Sequence, residues 1–239
     1  MDVILCGCCG KMGKAVAKAL AAAPDLRLAY GVDPAGKNCY ADPDQLPEGG
    51  DGIIDFSSPA GTEKILTLAC RRRIPAVIGT TGHSEKEKEN IARAAKLVPV
   101  FFAPNFSPGT ALLVRLCRQA CEAFPHANIE ITETHGAAKA DAPSGTALIL
   151  AENLKKLRPR LRFSPIPGQG PNRAGIHSLR LGNEPGTHTV IFSTPYETVT
   201  LQHRALSRRL YAEGALTAFR FLLKQSPGLY GMQDLEGKA

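Results

Sequence analysis

The chain has 239 residues, of which 44% are hydrophobic and 21% charged, values typical of a globular protein with one large core or two modest ones. No apolar run reaches spanning length, so we expect no membrane segment and no membrane partner. The net charge of +7 raises nucleic acid as a partner, but the basic residues are dispersed, aromatic residues make up 6% and tryptophan is absent, so we expect none.

The N-terminus and the cysteines bear on location and on metal binding. Met1-Asp2 leads straight into a strand-like segment, without a basic leader or a secretory hydrophobic segment, which predicts a cytoplasmic protein. The seven cysteines are odd in number and scattered, unlike a disulfide framework. Cys6-Gly-Cys8-Cys9 has no partner cluster of Cys or His at zinc spacing, so we predict no metal site.

A glycine-rich turn between a strand and a helix opens the chain. The predicted strand covers residues 2–7, the helix 14–23, and a second strand 26–33 ends in Asp33. The turn glycines are Gly7, Gly10 and Gly13. This order is typical of dinucleotide binding, in which the glycines let the backbone approach a pyrophosphate and the acid receives ribose hydroxyls. The spacing G-x-x-G-x-x-G departs from the commoner G-x-G-x-x-G.

Strands and helices then alternate, which predicts a Rossmann-like parallel sheet covered on both faces. The predicted strands are 52–57, 75–79 and 98–103, and the helices are 61–72 and 84–96. Two turns, Gly79-Thr80-Thr81-Gly82 and Ala103-Pro104-Asn105-Phe106, follow strand ends where such sheets bind ligands. We therefore interpret both turns as ligand contacts.

The remainder predicts a second, α+β domain with a mixed or antiparallel sheet. Its predicted helices are 109–124 and 145–157, its strands are 128–134, 175–181, 188–193 and 197–204, and 158–175 is a surface loop that could serve as a lid or an oligomer contact. The last three strands, without intervening helices, suggest an antiparallel meander. A helix at 211–223 could return to the first domain. The domain prediction is 1–106, completed by a C-terminal helix within 209–239, and 107–208.

One polar stretch, Glu133–Ala147, gathers chemistry-bearing side chains between a strand end and a helix start. It contains His135, Lys139 and Asp141, and Ser144 is placed to cap the following helix. The N–H groups of Gly145 and Thr146, with the positive end of the helix dipole, favour a carboxylate or phosphate. The stretch predicts an anion held beside a proton donor.

Four further polar residues lie in or beside the last strands. His177, His188 and His203 are more often structural than catalytic in such positions. Arg180 is open to either reading, because a guanidinium can bind a carboxylate through two hydrogen bonds.

With these motifs in view, the chain resembles the dihydrodipicolinate reductase family. The likeness runs over nearly the whole chain and is most specific in the block Lys139-x-Asp-Ala-Pro-Ser-Gly-Thr-Ala147. The other matching segments are Gly7–Gly13, Ile54–Phe56, Val77–Gly82, Asn105–Ser107, Ile176–Arg180, His188–Phe192, His203–Ala205 and Ser226–Tyr230.

The resemblance implies a function and a set of site residues. It implies NADH- or NADPH-dependent reduction of 4-hydroxy-tetrahydrodipicolinate to tetrahydrodipicolinate, in lysine and diaminopimelate biosynthesis. The implied cofactor contacts are Gly7, Cys8, Cys9, Gly10, Lys11, Met12, Asp33, Gly79, Thr80, Thr81, Ala103, Pro104, Asn105 and Phe106. The second domain would hold the small dicarboxylate substrate and build a homotetramer through its sheet.

The resemblance also assigns catalytic roles, with one departure. His135 matches the acid/base position, Lys139 the proton donor, and Gly145 and Thr146 the residues that bind a substrate carboxylate. The family usually has two adjacent histidines, and Gly136 stands at the second. This replacement would weaken substrate binding, move the role to another cation, or alter specificity.

Cofactor choice and two rival functions remain open at this level. Asp33 favours a free ribose 2′-hydroxyl and hence NADH, whereas Lys11 could pair with a 2′-phosphate. We expect use of both cofactors with a preference for NADH. The rivals are an oxidoreductase acting on another small imino or amino dicarboxylate, and a non-catalytic dinucleotide-sensing protein.

Overall fold

The computed structural model describes residues 1–165 and 172–235, and the chain divides into two compact units. The first comprises Met1–Phe106 and the chain from Arg208 onward, and the second comprises Ser107–Ser207. Part of the predicted lid or oligomer loop, residues 166–171, lies outside the described residues, as do residues 236–239 of the predicted C-terminal helical region.

Eleven strands are present in the described chain. They are β1 Asp2–Cys6, β2 Arg27–Val32, β3 Gly52–Asp55, β4 Ala76–Ile78, β5 Pro99–Phe102, β6 Asn128–His135, β7 Arg162–Ser164, β8 Arg173–Arg180, β9 Thr187–Ser193, β10 Thr198–Arg204 and β11 Gly228–Tyr230. Six of them form the sheet of the first unit in the order β11-β5-β4-β3-β1-β2, and every pair is parallel. The predicted Rossmann-like sheet is therefore confirmed.

Six α-helices connect the strands. They are α1 Lys11–Ala22, α2 Pro59–Arg72, α3 Glu85–Ala94, α4 Pro108–Ala123, α5 Gly145–Leu157 and α6 Arg209–Leu222, with short 3-10 helices at Pro43–Gln45 and Met232–Leu235. Local sequence explains where they begin. Ser58 and Ser107 cap helices that have proline in the first turn, and Ser84 forms a capping box with Glu87.

Alternating side chains of the first sheet fill two separate cores. Val3 and Leu5 on one face pack with residues of α1 and α6, whereas Ile4 and Cys6 on the other pack with residues of α2 and α3. Because successive side chains of a strand point to opposite faces, one short apolar strand contributes to both cores. The sheet is thus covered on both faces, as the α/β alternation predicts.

The helix predicted at 211–223 is present as α6, Arg209–Leu222, and is followed by a strand that was not predicted. Helix α6 ends at Leu222, and β11 then pairs with β5 at the sheet edge. Pro227 cannot continue a helix because it lacks an amide proton, and Gly228 follows it directly. Sequence periodicity alone missed β11, which has only three residues.

The second unit contains a five-stranded mixed sheet in the order β10-β9-β6-β8-β7. The predicted antiparallel meander is wrong, because β6 lies between β8 and β9 and pairs parallel with β8 and antiparallel with β9. Only β9 and β10 form the expected antiparallel pair. The predicted surface loop contains a further strand, β7, parallel to β8.

Backbone hydrogen bonds explain the insertion of β6. The amide of Leu181 donates to the carbonyl of His135 (2.8 Å), so the chain leaving β8 stays bonded to the end of β6. The amides of Gly136 and Ala137 then donate to the carbonyls of Glu184 and Gly182, respectively (2.8 and 3.0 Å). The turn after β8 therefore binds the continuation of β6 instead of closing a hairpin.

One face of this sheet packs against α4 and α5 and forms the core of the second unit, through residues such as Ile129, Ile131 and Val190. On the other face, Glu130 hydrogen-bonds His177 (2.7 Å) and Gln202 hydrogen-bonds Thr189 (2.9 Å). Glu133 and His188 are in phase with the core-facing residues of their strands and are buried.

Among the helices of residues 1–165 and 172–235, none is long and apolar enough to cross a membrane.

Candidate active site

At two positions of the glycine-rich turn there is no room for a side chain. Gly7 has φ +73°, and a Cβ there would lie 2.3 Å from the carbonyl oxygen of Phe56. A Cβ on Gly13 would lie 2.0 Å from the carbonyl oxygen of Gly7. Gly7 is therefore required by its positive φ and by the backbone that follows β3, and Gly13 by the close approach of α1 to the turn. These are the tight turn and the close helix packing that the dinucleotide interpretation assigns to them.

The start of α1 is suited to an anion. Gly10 occupies the N-cap and has no side chain to cap the helix, and the first turn carries Lys11 and Lys14 and no acid. The first N–H groups of a helix lack intrahelical acceptors and carry its positive dipole end. These features fit the pyrophosphate of a dinucleotide.

Asp33 follows β2 and is held in a fixed orientation. Its Oδ2 accepts a hydrogen bond from the amide of Cys9 (2.9 Å), and its Oδ1 accepts one from the amide of Ala35 (3.0 Å). The carboxylate is thereby tied to the glycine-rich turn. Its remaining lone pairs suit ribose hydroxyls.

Most of the other predicted cofactor residues follow the carboxyl ends of β4 and β5, whereas Lys11 and Met12 begin α1. A Cβ on Gly79 would lie 2.3 Å from the ring of Phe56, and the side chain of Thr80 is buried. Of the remaining positions, Ala103 and Phe106 are buried, Met12 and Asn105 are half-buried, and Lys11, Thr81 and Pro104 are exposed. In a parallel sheet these strand ends share one edge with the glycine-rich turn, so the residues predicted for the cofactor converge there.

In the second unit, the fully buried carboxylate of Glu133 joins three parts of the polar stretch. It hydrogen-bonds Nδ1 of His135, pairs with the guanidinium of Arg180 (3.0 Å) and accepts from the amide of Ser144 (3.3 Å). Burial alone would raise the pKa of Glu133, but hydrogen bonds from Ser178, Arg180 and His135 outweigh it and lower that pKa. Glu133 is therefore an anion that fixes the orientation of His135.

The protonation state of His135 follows from this contact. A carboxylate only accepts hydrogen bonds, so Nδ1 of His135 carries the proton and Nε2 of the neutral ring is an acceptor. Burial lowers the pKa of His135 more than Glu133 raises it, and Lys139 and Arg180 add to the lowering. At neutral pH His135 is thus suited to accept a proton or a hydrogen bond.

Lys139 is the cation of the stretch. Its ammonium donates to both carboxylate oxygens of Asp141 (2.7 and 2.8 Å), and its side chain is 29% exposed. Burial acts to raise the pKa of Asp141, but Lys139 outweighs it and lowers that pKa. The ammonium is held in place while remaining accessible, as a proton donor requires.

Arg180 holds the stretch onto the sheet. The parallel register of β6 and β8 places it opposite His135. Besides Glu133, its guanidinium donates to the backbone carbonyls of Asp141 (2.6 Å) and Leu179 (2.7 Å). In this structure Arg180 positions the loop that carries Lys139.

His188 packs against His135 edge-to-face, with ring centroids 5.1 Å apart. The hydroxyl of Ser144 accepts a hydrogen bond from the amide of Ala147 (3.3 Å) and shares a second one with Nε2 of His188 (3.0 Å). Burial, with the nearby His135, lowers the pKa of His188 to about 4. His188 is therefore a neutral ring whose hydrogen bond with Ser144 fixes the start of α5.

This burial predicts a pH dependence of stability. The unfolded chain binds a proton at His188 below about pH 6.5 and the folded chain only below about 4, so folding loses stability as the pH falls between these values. Between these pH values the free energy of unfolding of the wild type should fall by up to about 3 kcal/mol more than that of His188→Gln, as measured by urea unfolding at several pH values. Replacement of exposed His126 by Gln is the control, and parallel curves for all three proteins would contradict the assignment.

The start of α5 is open where the sequence predicts a substrate carboxylate. An ideal Cβ on Gly145 would have no heavy atom within 4 Å, so the space beside this backbone is free. Thr146 is buried in the same turn, and the Ser144 cap fixes the helix start. The dipole and the first amides of α5 can receive an anion here.

Gly136, where a second histidine was expected, packs tightly. A Cβ there would lie 3.2 Å from the carbonyl oxygen of Gly182 and 3.5 Å from Asn183. A histidine would require this turn to move by a few tenths of an ångström. The turn after β8 therefore occupies the space next to Gly136.

Within residues 1–165 and 172–235, two groups of residues bring metal-ligating atoms together. In one, ligand atoms of Glu133, His135 and His188 lie within 4.8 Å of one another, but each already hydrogen-bonds a protein group, and Arg180 supplies the positive charge. The other is formed by the thiols of Cys8, Cys9 and Cys39.

Sequence reasoning proposed His135, Lys139, Gly145 and Thr146 as site residues but did not assign Glu133, Arg180 and His188 as positioning residues. Their partners lie 47 residues apart in the Glu133–Arg180 pair and 44 in the Ser144–His188 pair. The available signal was that all three residues fall at one end of the predicted strands.

Comparison with known families agrees with this geometry. Residues 1–106 match the family described as dihydrodipicolinate reductase, N-terminus, and residues 109–235 match dihydrodipicolinate reductase, C-terminus. Among solved structures, a dipicolinate-bound dihydrodipicolinate reductase from Paenisporosarcina sp. TG-14 has a TM-score of 0.76 at 23% identity and covers 98% of both chains. That similarity shows the fold.

Sequence relatives are similar over their full length. A 4-hydroxy-tetrahydrodipicolinate reductase of Caldanaerobacter subterraneus subsp. tengcongensis is 39% identical, covering 99% of this chain and 98% of the relative. One from Thermomicrobium roseum is 41% identical, covering 98% and 99%. With both halves of the chain matched, the protein belongs to the dihydrodipicolinate reductase family.

Proposed function

We propose that this chain is an NAD(P)H-dependent oxidoreductase that reduces 4-hydroxy-tetrahydrodipicolinate to tetrahydrodipicolinate in lysine and diaminopimelate biosynthesis. The observation that carries the proposal is the arrangement around buried Glu133, which orients His135 and, through Arg180, the loop bearing Lys139. An anion-receptive helix start at Gly145 follows in the same stretch. Full-length similarity to reductases of this name supports the same reaction.

The roles of the two units follow from their chemistry. The first unit supplies the glycine-rich turn and Asp33 for a dinucleotide, and a bound nicotinamide supplies the hydride. In the second unit, the start of α5 at Gly145 and Thr146 binds a substrate carboxylate and orients the ring. As the ring is reduced, negative charge develops on the side of its nitrogen, and the ammonium of Lys139 stabilises that charge and donates the proton.

His135 has a different role from Lys139 in this proposal. Because its Nδ1 is bonded to Glu133, the neutral ring presents Nε2 as an acceptor. It can accept a hydrogen bond from a protonated substrate or a proton at the end of the reaction. Lys139 is therefore the proton donor at neutral pH, and His135 acts as a base that accepts a proton or a hydrogen bond at Nε2.

Cofactor preference is proposed to lean to NADH through the charge of Asp33, with NADPH also used. Asp33→Asn removes the charge that repels a 2′-phosphate, and we expect the ratio of kcat/KM for NADPH over NADH to rise by about ten-fold, or about 1.4 kcal/mol. Steady-state kinetics with each cofactor at matched concentrations measure the ratio. Exposed Glu89→Gln on α3 is the control, and an unchanged ratio in Asp33→Asn would show that another residue sets the preference.

A homotetramer is proposed through the face of the second sheet that bears Glu130, His177, Gln202 and Thr189. These residues lie opposite the face packed by α4 and α5 and are bonded among themselves. Sedimentation equilibrium of the wild-type chain tests the state directly. A cytoplasmic location is consistent with the seven cysteines, all of them free thiols.

The main test is oxidation of NADH or NADPH in the presence of freshly synthesised 4-hydroxy-tetrahydrodipicolinate. We expect turnover in the wild type and a large loss in a Lys139 variant. Oxidation only with another imino or amino dicarboxylate would identify a related oxidoreductase. Cofactor binding without turnover on any of these substrates would identify a dinucleotide-sensing protein instead.

A further inference from the structure

Three thiols lie close together beside the glycine-rich turn, although the sequence showed no cysteine or histidine cluster at zinc spacing. Cys8 and Cys9 belong to the glycine-rich turn after β1, and Cys39 lies on the loop after β2. Their Sγ atoms all lie within 4.8 Å of one another, and all three side chains are partly accessible. We call Cys8, Cys9 and Cys39 the three-thiol cluster.

The backbone around the cluster leaves room for sulfur. A Cβ on Gly36 would lie 2.1 Å from Sγ of Cys39 and 2.8 Å from Sγ of Cys9, and one on Gly31 would lie 3.0 Å from Sγ of Cys8. Two glycines thus enclose the thiols closely. Cys39 also donates a hydrogen bond to the carbonyl of Asp33 (3.4 Å), which fixes its loop against the turn.

The spacing suits a thiophilic cation with filled d orbitals. Zinc–thiolate bonds are about 2.3 Å long, so three thiolates around one ion lie about 3.8 Å apart. The cluster reaches this geometry with sulfur shifts of about 1 Å or less. Soft thiolate ligands select Zn²⁺, Cd²⁺ and similar ions over Mg²⁺ and Ca²⁺.

We propose that Cys8, Cys9 and Cys39 form a three-thiolate site for a zinc-class cation, and that the cation opposes binding of the dinucleotide. On binding, each S–H bond breaks, three metal–sulfur bonds form and three protons pass to the buffer. A water molecule completes the coordination.

The bound cation opposes dinucleotide binding through charge, and this part of the proposal rests on the function proposed above. Three thiolates and one divalent cation carry one net negative charge, whereas three thiols are neutral. The loaded cluster would place negative charge within the turn that receives the pyrophosphate, and would hold Cys9, whose amide orients Asp33.

The test uses the full-length chain kept reduced by a phosphine, with Cd²⁺ alone as the probe. We expect one Cd²⁺ per chain, a thiolate-to-cadmium charge-transfer absorption, and proton release. Cys39→Ser should weaken Cd²⁺ binding by at least about ten-fold, because one of three thiolates is lost. Cys70→Ser, which removes a thiol of α2 outside the cluster, should bind Cd²⁺ like the wild type.

Absence of the absorption in the wild type, an unchanged absorption in Cys39→Ser, or its loss in Cys70→Ser would overturn the site. Thermal unfolding of each variant verifies that it is folded before titration. These measurements need no cofactor, so they remain decisive even where the proposed enzymatic function fails.

The opposition is tested by NADH fluorescence titration with and without Zn²⁺. Zn²⁺ should raise the dissociation constant for NADH by about ten-fold in the wild type, as expected for an added charge near the pyrophosphate, and leave it unchanged in Cys39→Ser. An NADH affinity that Zn²⁺ does not change in the wild type would overturn the opposition. Failure of the metal-free chain to bind NADH would instead count against the proposed function.

Discussion

Lys139→Ala is expected to lower kcat by about 100- to 10,000-fold, the range that a positioned proton donor supplies. The ammonium lies in the polar stretch next to His135, and His135 cannot replace it as donor at neutral pH because its Nδ1 proton is bonded to Glu133 and burial lowers its pKa. Cofactor binding should be retained, because the residues proposed to bind the dinucleotide all belong to the first unit.

The measurement separates these two effects. Stopped-flow and steady-state assays give kcat, and fluorescence titration gives the dissociation constant for NADH in the same variant. Lys155→Ala, which removes an exposed ammonium from the last turn of α5, is the matched control and should keep wild-type values. Equal loss of turnover and cofactor affinity, or no loss of turnover, would refute the assignment of Lys139 as proton donor.

Glu133→Gln is expected to lower the free energy of unfolding by about 3–5 kcal/mol at neutral pH, the cost of removing one partner from a buried ion pair. The guanidinium of Arg180 would lose its charged partner, because the Glu133 side chain with which it pairs is 0% exposed and no solvent can replace it there. The new amide would also turn a donor toward groups that donate to Glu133, among them His135 and the amide of Ser144. Turnover should fall as well, because both Lys139 and His135 lose their positioning.

Glu130→Gln provides a control on the same strand. Glu130 also pairs with a histidine, His177 (2.7 Å), but its side chain is 30% exposed. In the dissociated chain solvent weakens such a pair, so we expect a loss below about 1 kcal/mol when unfolding is measured at a protein concentration too low for tetramer assembly. Similar losses in the two variants would show that burial does not set the strength of the Glu133 contacts.

The pH dependence of this variant has a definite sign. Contacts lower the pKa of folded Glu133 below the ordinary value of 4.5, so its stabilisation is full above that value and is lost as the pH falls through the folded pKa. The difference between wild type and Glu133→Gln in urea unfolding should therefore be constant near neutral pH and shrink under acid conditions. A difference that grows on acidification would contradict the anionic state of Glu133.

Local sequence predicted much of the first unit. The order of strand, glycine-rich turn, helix and Asp33 is encoded within the first part of the chain, and parallel pairing follows from the α/β alternation. The start of α5 was also correctly predicted, because Ser144 caps it through a contact three residues away. Short edge strands escaped detection, since β7 and β11 have three residues each and carry no periodic signal.

The second sheet shows the limit of such reasoning. Turn residues after β8 are compatible with a hairpin to β9, and nothing local reveals that β6 lies between them. Pairing β6 with β8 depends on register over seven residue pairs, which only the folded chain sets. That register places Arg180 opposite His135, where its guanidinium can pair with the buried carboxylate of Glu133.

By itself, the sequence determined the α/β class, the glycine-rich turn with Asp33, and the polar stretch containing His135 and Lys139. Only the tertiary structure decided which groups position the polar stretch, namely Glu133 with Arg180 and His188 with Ser144. It also decided that Cys39 lies beside Cys8 and Cys9. The physical reason is range. Turns, caps and periodicity depend on neighbours within a few residues, whereas a buried ion pair or a thiol cluster forms only when strand register brings distant residues together.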